Sequence, residues 1–302
     1  MCEAFERSLL ELIAPELEKP VPPEVRSLAD EAVRRAGGRT SEGGGIVAVL
    51  FYGSCYRDGV VSDGMVDLYL LADRYASLHH GLLSRLTNRL VPPNVYYVQC
   101  SYGDRIVRAK YAVLTLDQFA RRMQPDCRNP YFWARFAQPT GIVEVDEAAK
   151  DRLQQVLVRA IRTLHGHARC LCGNATNAQD RWVGVLQETY RSELRVEKPE
   201  RAAQIYRSYQ SRFDAIDTIL ASTPIDPSIS RSRRLRRCEG KVLSVLRLVK
   251  AAFTFSGGAD YLVWKIERHS GTTVELSDWQ RRHPILAAGP ILWRLWRQRI
   301  IR

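Results

Sequence analysis

Residues 48–73 read AVLFYGSCYRDGVVSDGMVDLYLLAD, two apolar runs separated by a polar, glycine-containing segment. The apolar, β-branched run Ile46–Phe51, preceded by glycines, predicts a buried strand that ends at Gly53-Ser54. A polar loop follows, and a second strand over Met65–Leu71 carries Asp67 inside an otherwise apolar run. An acid in that setting is costly unless it is paired or holds a metal. Glycine lets a backbone approach phosphate oxygens closely, and neighbouring N–H groups with the Ser54 hydroxyl can bind them. A carboxylate on the adjacent strand can hold magnesium against the same oxygens. The plainer alternative is that Gly53-Ser54 is only a turn and that Asp67 bonds to nearby backbone. Two residues before Asp67 stands Met65, so a second carboxylate would have to come from Asp63 at the strand mouth.

Working outward, two helices are predicted over 4–18 and 24–36, then the loop GGRTSEGGG (37–45), which lacks the Gly-Lys-Ser/Thr ending of a P-loop. A helix is expected over 74–90, stopped by Pro92-Pro93. Strands Val95–Cys100 and Ile106–Thr115 meet at the turn Tyr102-Gly103-Asp104. Hairpin-like neighbours of this kind predict a mixed or antiparallel sheet with flanking helices, an α+β architecture and not a doubly wound one. From residue 146 the apolar spacing is helical, over 146–170, 177–194, 198–222 and 238–255. The shift in composition places a boundary between 1–145 and a mostly helical 146–302.

Of 302 residues, 45% are hydrophobic, and no run approaches the roughly 20 apolar residues that span a bilayer. The start, MCEAFERSLLELIAPELE, is acidic where a presequence would be basic. Forty-five Lys and Arg against 33 Asp and Glu give a net charge of +12, which favours a polyanionic partner. Seven scattered cysteines lack disulfide-framework spacing and suit a reducing compartment. His165, His167, Cys170 and Cys172 fall on one predicted helix end, where adjacent ligands diverge; buried, hydrogen-bonded side chains are the expectation there, not a metal site. The run RSRRLRR (231–237) and the tail GPILWRLWRQRIIR (289–302) concentrate arginine, and the tail interleaves it with Trp, Leu and Ile in the manner of interfacial helices. A helix packed on the core with a solvated arginine face would read the same way, and arginine runs also bind nucleic acid. No aromatic interleaving of the single-strand-binding kind is evident, so a nucleic acid partner ranks below lipid.

Gly-Ser followed by a strand-borne aspartate resembles the nucleotidyltransferase superfamily, whose second strand normally reads Asp-hydrophobic-Asp. A Tyr-Gly-Ser motif (Tyr52, Gly53, Ser54) followed by one strand aspartate resembles more closely the mitochondrial-type phosphatidate cytidylyltransferases, also called translocator assembly and maintenance proteins. Asn94-Val95-Tyr96-Tyr97, Lys110-Tyr111-Ala112-Val113 with Thr115-Leu116-Asp117, and Ala134-Arg135-Phe136-Ala137-Gln138-Pro139 are similar to further motifs of that family, in the same order. Gln138 replaces the family's lysine, and its His/Asn-rich stretch is reduced to His79-His80. The resemblance implies a nucleotidyltransferase-like sheet and transfer of CMP from CTP to phosphatidate with Mg2+, forming CDP-diacylglycerol and pyrophosphate. It implies that Asp67, with Asp63, holds the metal and that Tyr52, Gly53 and Ser54 bind the nucleotide. Lys110 and Arg135 would neutralise the phosphates, Lys110 as a catalytic residue. Peripheral attachment to an anionic membrane is implied as well, on the cytoplasmic side of a bacterial inner membrane or at a mitochondrial inner membrane. A nucleotidyltransferase with another acceptor (RNA, a small alcohol or a protein) stays open, as does a non-catalytic nucleic-acid-binding member.

Overall fold

This computed structural model describes residues 2–40, 44–59, 64–78, 82–175, 177–193, 200–229 and 233–254. Helices α1 (Cys2–Leu17) and α2 (Pro23–Arg35) lead into β1 (Arg39–Thr40) and β2 (Gly44–Tyr52). Then come α3 (Ser54–Asp58), β3 (Val66–Ala72), a single 3-10 turn (Tyr75–Ser77), α4 (Leu82–Leu90), β4 (Asn94–Tyr102) and β5 (Arg105–Thr115). After α5 (Leu116–Arg122), α6 (Trp133–Phe136) and β6 (Gly141–Val145), the described chain is helical: α7 (Glu147–Cys172), α8 (Ala178–Arg191), α9 (Glu200–Ser208), α10 (Gln210–Leu220) and α11 (Arg233–Thr254).

The strands form a mixed open sheet ordered β2-β3-β5-β4, with β1 and β6 both paired to β2. Strands β2 and β3 are antiparallel, β3 and β5 parallel, and β4 and β5 antiparallel. The expected α+β class with a mixed sheet is therefore present. Strand periodicity divides the side chains between two cores. Tyr69, Leu71, Ala112 and Leu114 face one apolar cluster, shared with Leu9 of α1, Phe119 of α5, Leu157 of α7, Trp182 of α8, Ile205 of α9 and Phe213 of α10. Leu68, Leu70, Ala109 and Val113 face the other, closed by Val25, Leu28 and Ala32 of α2. The first cluster runs without interruption from residues before 145 to residues after it. The later helices thus share a core with the sheet, and their inner faces become one wall of whatever lies at the sheet's end.

Several local expectations change. In place of a helix starting at 74 there is a 3-10 turn, because the Asp73 carboxylate accepts hydrogen bonds from the backbone N–H groups of Arg74 (2.7 Å) and Gly45 (3.2 Å), a local alternative to helix. The predicted helix 198–222 is two helices, broken at Tyr209 (φ −133, ψ 28). The apolar spacing stays in phase across the break, so periodicity cannot see it. Strand β6 and helix α3 were not anticipated; both are five residues long, too short for either period to register. Helix α11 starts at Arg233, not near Cys238, so much of the arginine run is helical. Two of its guanidinium groups are used internally: Arg236 is buried beside His167, and Arg237 is bidentate on the buried Glu188 (2.8 and 2.7 Å). The 289–302 tail lies outside the described residues.

The α7 histidines point in different directions, as residues two apart on a helix must. His165 Nε2 lies 3.3 Å from Asp217, and His167 stacks on Trp133 (4.5 Å between centroids, 7° between planes) with Nδ1 3.0 Å from an Arg236 nitrogen. Burial and the Arg236 charge push the His167 pKa down to about 3. The unfolded imidazole protonates near 6.5, so its contribution to stability is complete above that pH and is lost progressively as pH falls towards 3. At pH 4.5 the wild type should therefore have lost about 2–3 kcal/mol through this group alone. Urea titrations between pH 7 and 4.5 check this: His167→Gln, which keeps an acceptor but cannot protonate, should show a shallower acid limb. Identical acid limbs would contradict it.

Candidate active site

Register builds the site. Tyr52 of β2 pairs with Asp67 of β3, Asp67 with Lys110 of β5, and Lys110 with Tyr97 of β4, so these four residues form one row across four strands. By alternation Asp67 lies on the face of Tyr69 and Leu71, and Lys110 on that of Ala112 and Leu114. Aliphatic packing on that face stops at the row, and a cavity of about 500 Å³ begins there. Lys110 Nζ is 3.7 Å from Asp67 Oδ1, and both side chains are partly exposed to the cavity (34% and 26%).

Gly53 ends β2 with φ +89 and ψ −155, a conformation that essentially only glycine adopts. A side chain there would also collide with the carboxylate, since a Cβ would sit 2.9 Å from Asp67 Oδ2. The absent side chain brings turn and acid face to face. Ser54 follows, exposed at the cavity, and the chain turns through α3 to Gly59, whose N–H donates to Cys55 O at 3.0 Å. Arg57 of α3 also lines the cavity, its guanidinium on Asp58 (2.8 Å).

The opposite wall is helical and comes from the later chain: Thr189 and Tyr190 of α8, Glu193 just after it, Arg201 and Ile205 of α9, and Tyr209 at the α9–α10 break. Between the walls stand Tyr131 and Arg135. Arg135 donates to both Glu193 oxygens (3.3 and 3.0 Å) and to the Tyr131 carbonyl, and its guanidinium lies 3.9 Å from the Tyr131 ring centroid. Burial opposes its charge, but Glu193 and the surrounding phenols outweigh that, and its pKa rises well above the ordinary arginine value.

Tyr52, Gly53, Ser54, Asp67, Lys110 and Arg135, the residues singled out from the sequence, all line this one cavity. Asp63 lies outside the described residues, as do His79 and His80. Glu193, Arg201 and Tyr209 had no local signal: they lie on or beside the later helices, 83 to 99 positions beyond Lys110, and only the shared core delivers them. Four cationic side chains (Arg57, Lys110, Arg135, Arg201) and two carboxylates (Asp67, Glu193) line the cavity, an excess of positive charge suited to a polyanion. Among the described residues no three His, Cys, Asp or Glu side chains gather into a metal cage. The chain matches no protein-family model, and no curated protein sequence matches it.

Proposed function

We propose that the chain is a magnesium-dependent nucleotidyltransferase that transfers CMP from CTP to phosphatidate at an anionic membrane surface. One observation carries this reading: a glycine turn and a strand carboxylate face each other, with a lysine 3.7 Å from that carboxylate, over one positively lined cavity. The sheet and its covering helices (1–145) would be the nucleotidyltransferase-like catalytic part, and the helices of 146–302 would close the site and meet the membrane.

Magnesium is commonly held by one or two carboxylates together with substrate phosphates, so one acid at the glycine turn, with Glu193 engaged by Arg135, does not count against it. Asp67 would hold the ion, its Oδ2 side kept open by the missing side chain at Gly53. When bound, the ion would supply charge neutralisation for the triphosphate. The Gly53-Ser54 backbone and the Ser54 hydroxyl would bind triphosphate oxygens, with Tyr52 beside them. Lys110 would neutralise charge that builds up as the α-phosphorus is attacked. Arg135, anchored by Glu193, would add positive field without needing to move. A phosphate-monoester oxygen of phosphatidate forms the new bond to the α-phosphorus, and the bond to the bridging oxygen breaks, releasing pyrophosphate. The acceptor's second pKa is about 6, so it arrives ionised and needs no general base. Catalysis is then alignment and charge neutralisation.

Helix α11 supports the membrane part. Leu235, Val242, Val245, Leu246 and Val249 are 44–58% exposed along one of its faces, edged by exposed Arg234 and Lys241. Branched aliphatics bordered by basic residues suit the boundary of an anionic leaflet. No described helix is long and apolar enough to cross a membrane. The proposed placement is peripheral, on the cytoplasmic face of a bacterial inner membrane or at its mitochondrial equivalent.

The test supplies CTP, Mg2+ and vesicles of phosphatidylcholine with or without phosphatidate, and follows pyrophosphate and lipid product. Equimolar pyrophosphate and CDP-diacylglycerol are expected, only with phosphatidate present, together with flotation on those vesicles and not on neutral ones. No pyrophosphate release would defeat the enzyme reading. Release sustained by RNA instead would move the acceptor.

A further inference from the structure

From the helical wall the proposed transfer would use only Glu193, behind Arg135, and helix α9 would have no part in holding the nucleotide. Arg201, Ile205 and Tyr209 are spaced four apart and reach the cavity in succession along α9 and its end. Three of the four lining cations have carboxylate partners: Arg57 with Asp58 (2.8 Å), Lys110 with Asp67 (3.7 Å) and Arg135 with Glu193 (3.0 Å). Arg201 differs. Its guanidinium donates to the neutral amide oxygen of Gln204 at 2.9 Å and has no carboxylate partner among the described residues. A guanidinium on a cavity-lining residue with no carboxylate partner among the described residues is suited to bind a phosphate through two parallel N–H groups.

Which phosphate follows from the chemistry. Displacement at phosphorus is in line, so the attacking group stands opposite the departing pyrophosphate. In the proposed transfer the donor's phosphates would sit with Gly53, Ser54, Asp67 and Lys110, which line the sheet side. The incoming group then approaches from the helical side. We infer that Arg201 seats the phosphomonoester of the acceptor, and that this dianion, not the acyl chains, is what the site recognises. The size of the cavity agrees: about 500 Å³ is of the order needed for a nucleotide with a small head group, and Ile205 is the one aliphatic side chain that α9 contributes to its lining. The acyl chains would stay outside, so a short-chain phosphatidate free in solution would serve as acceptor. This inference rests on the nucleotidyl-transfer reading of the same cavity.

Steady-state kinetics with dihexanoyl phosphatidate test it, using the full chain and the variants Arg201→Gln and Arg201→Lys. In Arg201→Gln the KM for the lipid should rise about 10- to 100-fold, as expected for losing a charge-assisted pair of hydrogen bonds. The KM for CTP and the urea midpoint should stay near wild type, which shows that the variant folds. Arg201→Lys, which keeps the charge but loses the fork, should recover part of the loss. Equal rises in both KM values, or no change in either, would overturn the assignment while leaving the transferase reading intact. Calorimetric titration of dihexanoyl phosphatidate without nucleotide separates the two claims. If wild type binds it, Arg201→Gln does not, and neither turns over, the phosphate clamp stands and the transferase reading fails. If wild type does not distinguish it from dihexanoyl phosphatidylcholine, the clamp fails.

Discussion

Asp67→Asn is expected to lower pyrophosphate release on the order of 10²- to 10³-fold, the loss typical of deleting one preorganised electrostatic group from an active site. The substitution preserves the shape that packs against Gly53 and removes only the charge. Asp67 is the acid that faces the glycine turn and lies 3.7 Å from Lys110, so in the proposed transfer donor binding and charge neutralisation would both depend on it. The unfolding midpoint in urea should move little, because Asp67 and Lys110 are 26% and 34% exposed and such partly solvated pairs contribute roughly 0–1 kcal/mol. A large loss of turnover with a small loss of stability is the signature sought. Turnover within about threefold of wild type would remove Asp67 from the chemistry, whatever else the cavity does.

Glu193→Gln should do the reverse and destabilise the fold by about 2–3 kcal/mol, between the cost of losing an exposed pair and that of stranding one partner of a fully buried one. Arg135 and Glu193 are 18% and 11% exposed and meet in fork-to-fork geometry. The Arg247 guanidinium also lies 3.9 Å from the Tyr131 ring, the same distance as that of Arg135, so two positive groups crowd one phenol with Glu193 beside them. Burial lowers the Arg247 pKa, and the neighbouring Arg135 charge lowers it further, so removing the local carboxylate leaves a repulsive pair. Urea unfolding measures the cost. The double variant Arg135→Met with Glu193→Leu should regain most of the lost stability, since apolar groups of similar size replace buried pairs at little cost. A change below about 1 kcal/mol in Glu193→Gln would mean the pair is solvated in solution. CTP kinetics of the double variant would then report whether Arg135 contacts the nucleotide or only contributes field.

The strands on either side of the Gly53-Ser54 turn could be read because burial on both faces of a sheet leaves near-continuous apolar runs, and a lone acid in such a run stands out. Lys110 was legible only through its resemblance to a family motif, because Arg108 is a second charge in Ile106–Thr115 with a similar setting. Arg135 was legible as a cavity residue but not as half of an ion pair, because its partner lies 58 residues away on the far wall. The arginines of 231–237 misled in the same way, since nothing local separates the buried Arg236 from the exposed Arg234. Strand β6 escaped because its pairing with β2, not its five residues, makes it a strand.

From its residues alone this chain declares a mixed sheet, a long helical stretch, a basic composition, and a glycine turn followed by an acid in an apolar strand. Those properties are local: they follow from period, from glycine's freedom at positive φ, and from the cost of an acid in an apolar strand. Only the tertiary structure sets Asp67 against Gly53, aligns Tyr52, Asp67, Lys110 and Tyr97 in one row, and brings Arg201 and Glu193 to face them. Strand register and helix docking are settled by which apolar surfaces bury each other, and that is a property of the whole core, not of any segment's spacing.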